Sequence, residues 1–93
     1  MLEKRIVIVN RLGLHARAAA KLVRTASAYR SGVRLERTDG GAVADAKSIL
    51  SVLLLAASRG TELRLMIEGA DEAEAMSAVC DLIVSGFGEE QEA

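Results

Sequence analysis

Residues Asn10–Ala20 read N-R-L-G-L-H-A-R-A-A-A. This stretch follows an alternating apolar run and opens an alanine-rich segment. A strand therefore ends, a glycine turns the chain and a helix begins, all within one short passage. His15, the one histidine of the chain, stands at that junction. A helix N-terminus presents unpaired backbone N–H groups and a partial positive charge, which together suit an anion. Arg17 adds a full positive charge where the helix dipole disfavours a cation. A negatively charged group bound or formed at His15 accounts for this arrangement. Phosphate fits best, because a guanidinium and several N–H donors match its oxygens.

Working outward, residues 2–9 (L-E-K-R-I-V-I-V) are β-branched near their end and read as a strand. Ile6 and Ile8 share one face and Val7 and Val9 the other, which suits a central strand covered on at least one side. Asn10–Leu14 is a turn in which Gly13 can adopt a backbone conformation closed to other residues. Residues 16–29 read as the first helix, with Ala19, Leu22, Val23 and Ala26 as its apolar stripe. Arg17, Lys21 and Arg24 gather on another face, either a plain solvated surface or a docking surface for an acidic partner.

Residues 33–37 alternate as a half-buried strand. Asp39-Gly40-Gly41 signals a hairpin turn, and 42–44 reads as a short edge strand. Asp45 is a candidate N-cap for a second helix over 46–58, with Ile49, Val52, Leu53 and Ala56 as its core stripe. Leu50, Leu54 and Leu55 widen the apolar surface beyond one face. Some of Ile49, Leu50 and Leu53 should therefore be exposed near His15 as a contact patch. Residues 62–68 form the last strand, with Leu63, Leu65 and Ile67 on one face. Asp71 caps a third helix whose buried stripe is Met76, Val79, Cys80, Ile83 and Phe87. Cys80, inside that stripe, reads as a small core hydrophobe and not a redox thiol. The domain spans 1–88, and the tail Glu89–Ala93 is acidic, short and frayed in this reading.

The order is β-α-β-β-α-β-α. With the helices gathered on one face, this is an α+β open-faced sandwich with a four-stranded antiparallel sheet. The 93 residues make one domain. Net charge of −1, with one Tyr, one Phe and no Trp, leaves little for nucleic-acid binding or base stacking. One cysteine excludes an internal disulfide, and one Cys with one His does not build the usual structural zinc site. The longest apolar stretch is about half of a membrane span, and the charged N-terminus does not resemble a secretion signal. The expected compartment is the cytoplasm, and no metal or cofactor is expected.

Three blocks resemble the HPr family, the histidine-containing phosphocarriers of the bacterial phosphotransferase system. They are G-L-H-A-R-A-A at 13–19, K-S-I-L at 47–50 and G-A-D-E-A-E-A at 69–75. The similarity runs over roughly residues 2–87 with the blocks in the family's order and spacing. It implies the same α+β architecture and an active histidine at His15. Arg17 would support the phosphate, and Ala16 and Arg17 would supply backbone N–H groups. Ala20, Ile49, Leu50 and Leu53 match the family's apolar docking positions, beside Lys21 and Arg24. The resemblance further implies enzyme I as phosphoryl donor and an enzyme IIA domain as acceptor. Ser48 matches a serine that a dedicated HPr kinase/phosphatase modifies in many relatives, although a serine there also simply favours helix initiation. The alanine after Arg17 departs from the proline usual in the family. Ala18, in H-A-R-A-A-A-K, is similar to variants of the nitrogen-related branch, sometimes called NPr.

A neutral imidazole attacking a phosphoryl group gives a phosphoramidate, which places about −2 charge beside Arg17 and the helix N–H groups. An exposed site with no second acid–base group suits a phosphoryl-transfer intermediate better than a free-standing enzyme such as a phosphatase. Two readings stand. The chain carries phosphate from enzyme I to enzyme IIA, or it is a regulatory phospho-switch of a nitrogen-type branch that controls partner proteins. A small docking patch fits a monomer with transient partners.

Overall fold

The computed structural model describes residues 1–89. Seven regular elements follow the expected order. They are β1 (Leu2–Val7), α1 (Ala16–Ser27), β2 (Gly32–Arg37), β3 (Val43–Asp45), α2 (Ile49–Leu54), β4 (Glu62–Glu68) and α3 (Glu72–Val84), and a 3-10 turn over Gly86–Gly88 closes the series. The four strands form one antiparallel sheet in the order β1-β4-β2-β3. Leu63, Leu65 and Ile67 of β4, Val33 and Leu35 of β2, and Ile6 of β1 point to a single face. The three helices cover it, so the core is one layer between sheet and helices, as an α+β open-faced sandwich requires. The open face is charged: Arg64 pairs with Glu36 directly across the strands and with Glu3 on β1. Among the described residues no helix is long and apolar enough to cross a membrane.

Several expectations are corrected. β1 is an edge strand and β4 is central. Val7 and Val9 face solvent while Ile6 and Ile8 are buried, which keeps to the expected cover on at least one side. β1 also ends at Val7, short of the expected Val9. The second helix starts at Ile49, not 46, and ends at Leu54, not 58. Asp45 stays in β3 opposite Arg34, and Ala46 N–H still bonds to Val33 O at 2.9 Å, so the chain is extended where a helix was expected. Asp45 instead accepts from Lys47 N–H, and Ser48 is the N-cap, accepting from Ser51 N–H. Val52 on α2 and Leu55 at its C-cap are buried, rather than the Ile49-Val52-Leu53-Ala56 stripe, leaving Ile49, Leu50, Leu53 and Leu54 exposed. Ala56, with φ of 51°, ends it in the left-handed region.

Asp71 occupies the N-cap position of α3 without capping it. Its carboxylate turns back to accept from the N–H groups of Arg30 and Ser31 and from the Ser31 hydroxyl. These bonds, led by the hydroxyl, hold its pKa down at about 2. Phe87 is buried, but it reaches the core from the 3-10 turn after α3 has ended, not from the helix. Cys80 is a buried free thiol, and burial pushes its pKa up, as a core role implies.

Candidate functional site

The turn that aims His15 is built around Gly13. With φ of 65°, this residue stands where a side chain is disfavoured. A Cβ here would lie 2.6 Å from Ala57 O and 2.8 Å from Ser58 Cα. That close approach lets Leu14 N–H donate to Ala57 O at 2.9 Å, which ties the turn to the segment after α2. Gly13 N–H donates to Asn10 O, and the Asn10 side-chain amide donates back to Gly13 O at 2.8 Å. Leu14 is buried beneath, so the next residue is lifted to the surface.

His15 is the N-cap of α1. Its backbone is extended, its carbonyl accepts from Ala19 N–H, and its ring Nδ1 accepts from Arg17 N–H at 3.2 Å. An imidazole thus takes the role usually played by Ser, Asp or Asn. Because a backbone N–H can only donate, Nδ1 presents its lone pair toward the helix N-terminus, and Nε2 carries the proton. Nε2 donates to Glu89 Oε2 at 2.6 Å. The first turn of α1 contains no acidic side chain, and Ala16 and Arg17 are exposed. The N–H groups of Ala16 and Ala18 have no acceptor within the helix, as at any helix start. The imidazole and the N–H groups of the first turn therefore lie together at the helix start, with Arg17 in the same turn, an arrangement that suits an anion.

The remaining expected residues fall into three groups. Ala20 and Lys21 are half-buried and Arg24 is exposed on α1. The Lys21 ammonium is not simply solvated: it donates to Phe87 O at 2.6 Å and anchors the 3-10 turn. Ile49, Leu50 and Leu53 are all exposed on α2, which packs against α1. Leu54, at 70% exposure, extends that apolar surface. Ser48 lies at the edge of this surface as the α2 N-cap.

Two residues of the site were not anticipated from sequence. Glu89 was read as the first residue of a frayed acidic tail. The structure buries it to 8% exposure and bonds it to His15 and to the Asn10 amide at 3.0 Å. Burial pushes its carboxyl up, but the bonds from Asn10 and His15 and the nearby Lys21 charge outweigh this and hold its pKa below the usual range. Residues 90–93 of the expected tail lie outside the described residues. Asn10 was read only as a turn residue, yet its amide joins the turn to the C-terminal segment. The signal that bears on Glu89 is Gly86-Phe87-Gly88, an apolar anchor between two glycines that folds the chain back toward His15.

The fold and site define a class: a small α+β sandwich with a histidine ring as the N-cap of its first helix. Comparison with known proteins agrees. The family described as PTS HPr component phosphorylation site matches residues 2–85. Phosphocarrier protein HPr of Xylella fastidiosa strain 9a5c is 50% identical over 90 residues, covering 97% of this chain and 99% of that protein. Its counterpart in Neisseria meningitidis serogroup B is 48% identical over 89 residues, covering 96% and 98%. The crystal structure of HPr-C-His from Thermoanaerobacter tengcongensis superposes with a TM-score of 0.90 at 46% identity, covering 97% of this chain and 99% of that one. The chain belongs to the HPr family of phosphocarriers of the phosphotransferase system.

Proposed function

We propose that the chain accepts a phosphoryl group on Nδ1 of His15 from phosphorylated enzyme I, and passes it to a histidine of an enzyme IIA domain. The observation that carries this reading is the Nδ1 lone pair, displayed at the N-terminus of α1 beside Arg17 in a chain of this family. Attack by that lone pair leaves the transferred oxygens among the N–H groups of the first helical turn, with the Arg17 guanidinium alongside. The charge of the product is thereby offset without a metal, and the exposure of the site lets a second protein take the group away.

Docking of both partners falls to the apolar surface of Ile49, Leu50 and Leu53, with Ala20, Lys21 and Arg24 on α1. Leu54 widens this surface. A phosphate on Ser48 would place a dianion at the edge of the patch and oppose burial of Ile49 and Leu50 against a partner. This is the physical basis for control by an HPr kinase/phosphatase. The second reading, a regulatory switch of a nitrogen-type branch, rests on Ala18, which keeps an N–H donor where the usual proline has none.

The test is intact mass after incubation with phosphoenolpyruvate and enzyme I, on wild type and His15→Ala. One acid-labile phosphoryl group on wild type and none on the variant is the expected result. Folded wild type that takes up no phosphate would overturn the carrier role. Chasing the label to a sugar-type or a nitrogen-type IIA then separates the two branches.

A further inference from the structure

The mechanism above uses Nδ1 of His15 and leaves Nε2 without a task. Yet Nε2 has the most confined partner in the site. Glu89 follows the 3-10 turn at the C-terminal end of the described chain and is buried, and its two carboxylate oxygens are divided between two donors. Oε1 accepts from the Asn10 amide at 3.0 Å and Oε2 from His15 Nε2 at 2.6 Å. The amide of Asn10 is itself fixed, because its other bond goes to Gly13 O at 2.8 Å. The strap that delivers Glu89 is fastened separately: Phe87 is buried, and Lys21 donates to the Phe87 carbonyl. A carboxylate held by its own anchors thus reaches across from one end of the domain to the imidazole.

We propose that Glu89 is a positioning residue for phosphoryl transfer, holding His15 as the Nε2–H tautomer so that the Nδ1 lone pair faces the incoming phosphorus. The function it serves is the carrier role proposed above; the contact itself is independent of that role.

An imidazole has one donor and one acceptor when neutral, and each is set by what the other nitrogen meets. Arg17 N–H specifies an acceptor at Nδ1 across 3.2 Å, a long bond on an exposed side. Glu89 specifies a donor at Nε2 across a much shorter one. The two constraints agree, and the shorter one supplies most of the orientation. During transfer Arg17 N–H releases Nδ1, whose lone pair then forms the bond to phosphorus, while the bond between phosphorus and the donor breaks and its electron pair leaves with the donor. No proton moves. The ring keeps its Nε2 proton and gains positive charge, which lies directly against the Glu89 carboxylate. The same contact therefore orients the nucleophile beforehand and pairs the charge that develops on it.

A carboxylate is needed because both neighbours are donors. A glutamine of the same shape accepts on one side only. Its amide NH2 must face either the Asn10 amide or Nε2, and in the second case it demands the opposite tautomer, which Arg17 N–H opposes.

The experiment compares wild type with Glu89→Gln, and with Glu89→Asp as the conservative variant that keeps two acceptors. Ring nitrogen chemical shifts of His15, recorded on the neutral imidazole of the unphosphorylated protein, report the tautomer. Phosphoryl uptake from phosphorylated enzyme I is followed in parallel as a function of enzyme I concentration. Wild type should show one tautomer with the proton on Nε2, and Glu89→Gln a mixture. The saturating rate should fall about tenfold in Glu89→Gln, well short of the ~10⁴ lost when a buried triad carboxylate is neutralised, because Arg17 N–H still favours the right tautomer. The KM for enzyme I should stay unchanged, since the apolar patch on α2 is untouched. Glu89→Asp should recover part of the rate and the single tautomer. Should Glu89→Gln lose its folded spectrum, the tautomer populations of Glu89→Asp and wild type decide the matter. A single Nε2–H tautomer and a wild-type rate in a folded Glu89→Gln would overturn the proposal. Wild type that takes up no phosphate would instead remove the carrier reading, and the nitrogen shifts would still show whether Glu89 sets the ring.

Discussion

Replacing Gly13 by alanine should be among the most costly single-methyl additions to this domain. The residue sits at φ of 65°, and an L-side chain in that region costs about 1–2 kcal/mol from its own backbone. The added Cβ would also stand 2.6 Å from Ala57 O and 2.8 Å from Ser58 Cα, both main-chain atoms that cannot swing aside as a side chain would. The backbone must separate there, and that weakens the Leu14 N–H bond to Ala57 O, a further cost of about 0.5–1.5 kcal/mol. Together the two effects amount to roughly 2–3 kcal/mol against a total stability of about 5–14 kcal/mol for a chain of this length. With an m-value near 1 kcal/mol per M, the urea midpoint should fall by about 2–3 M, and Tm by roughly 10–20 °C. Far-UV circular dichroism in urea measures this directly. A midpoint shift under about 0.5 M at unchanged m would show that the turn relaxes freely, and the account of how His15 is aimed would fail with it. The same displacement should slow phosphoryl uptake, because Gly13 O is also the acceptor for His15 N–H at 2.9 Å.

Leu54→Ala should change stability by less than about 0.5 kcal/mol while Leu55→Ala costs about 2–4 kcal/mol, because the last residue of α2 is exposed and its C-cap is buried. Denaturant titration of the pair checks the face assignment. Ala56→Gly should stabilise by about 0.5–1 kcal/mol, since its φ of 51° suits glycine and the site is exposed, with the gain read as a higher Tm. Asp71→Asn should destabilise at neutral pH. The Asp71 pKa is lowered on folding, so its contribution is complete above the unfolded value of 3.8 and is lost as pH falls toward about 2; unfolding curves of the two proteins should converge across that window. Ser48→Ala should cost about 0.5–1 kcal/mol through loss of the cap on α2, with phosphoryl uptake from enzyme I retained.

The parts of this molecule that could be read from the chain are those encoded by period. Alternation in E-L-R-L-M-I-E placed β4 to the residue, because one face of a sheet covered on one side only must alternate. The junction at His15 was legible for the same local reason: strand end, glycine, helix start. Helix α2 was misplaced where local signals compete. Asp45 and Ser48 are both good caps, and the choice between them was made by the β2 strand, which holds Asp45 and Ala46 in extended pairing. Its buried face was misread because five of the six residues in I-L-S-V-L-L are apolar, so that periodicity selects no stripe. What chose the buried face was packing of α2 against α1 and β3.

Glu89 marks the further limit. Nothing in G-E-E-Q-E-A separates its first glutamate from the others by type, charge or spacing. Its distinction comes from partners 74 and 79 residues away in the chain. Those partners reach it only because Gly86 and Phe87, both with positive φ, reverse the chain after α3 and seat the Phe87 ring in the core. The local pattern points to His15 and to the helix N-terminus beside it. The carboxylate that meets Nε2 of His15 is delivered by the tertiary fold, because the turn after α3 brings Glu89 beside Asn10 and the His15 ring.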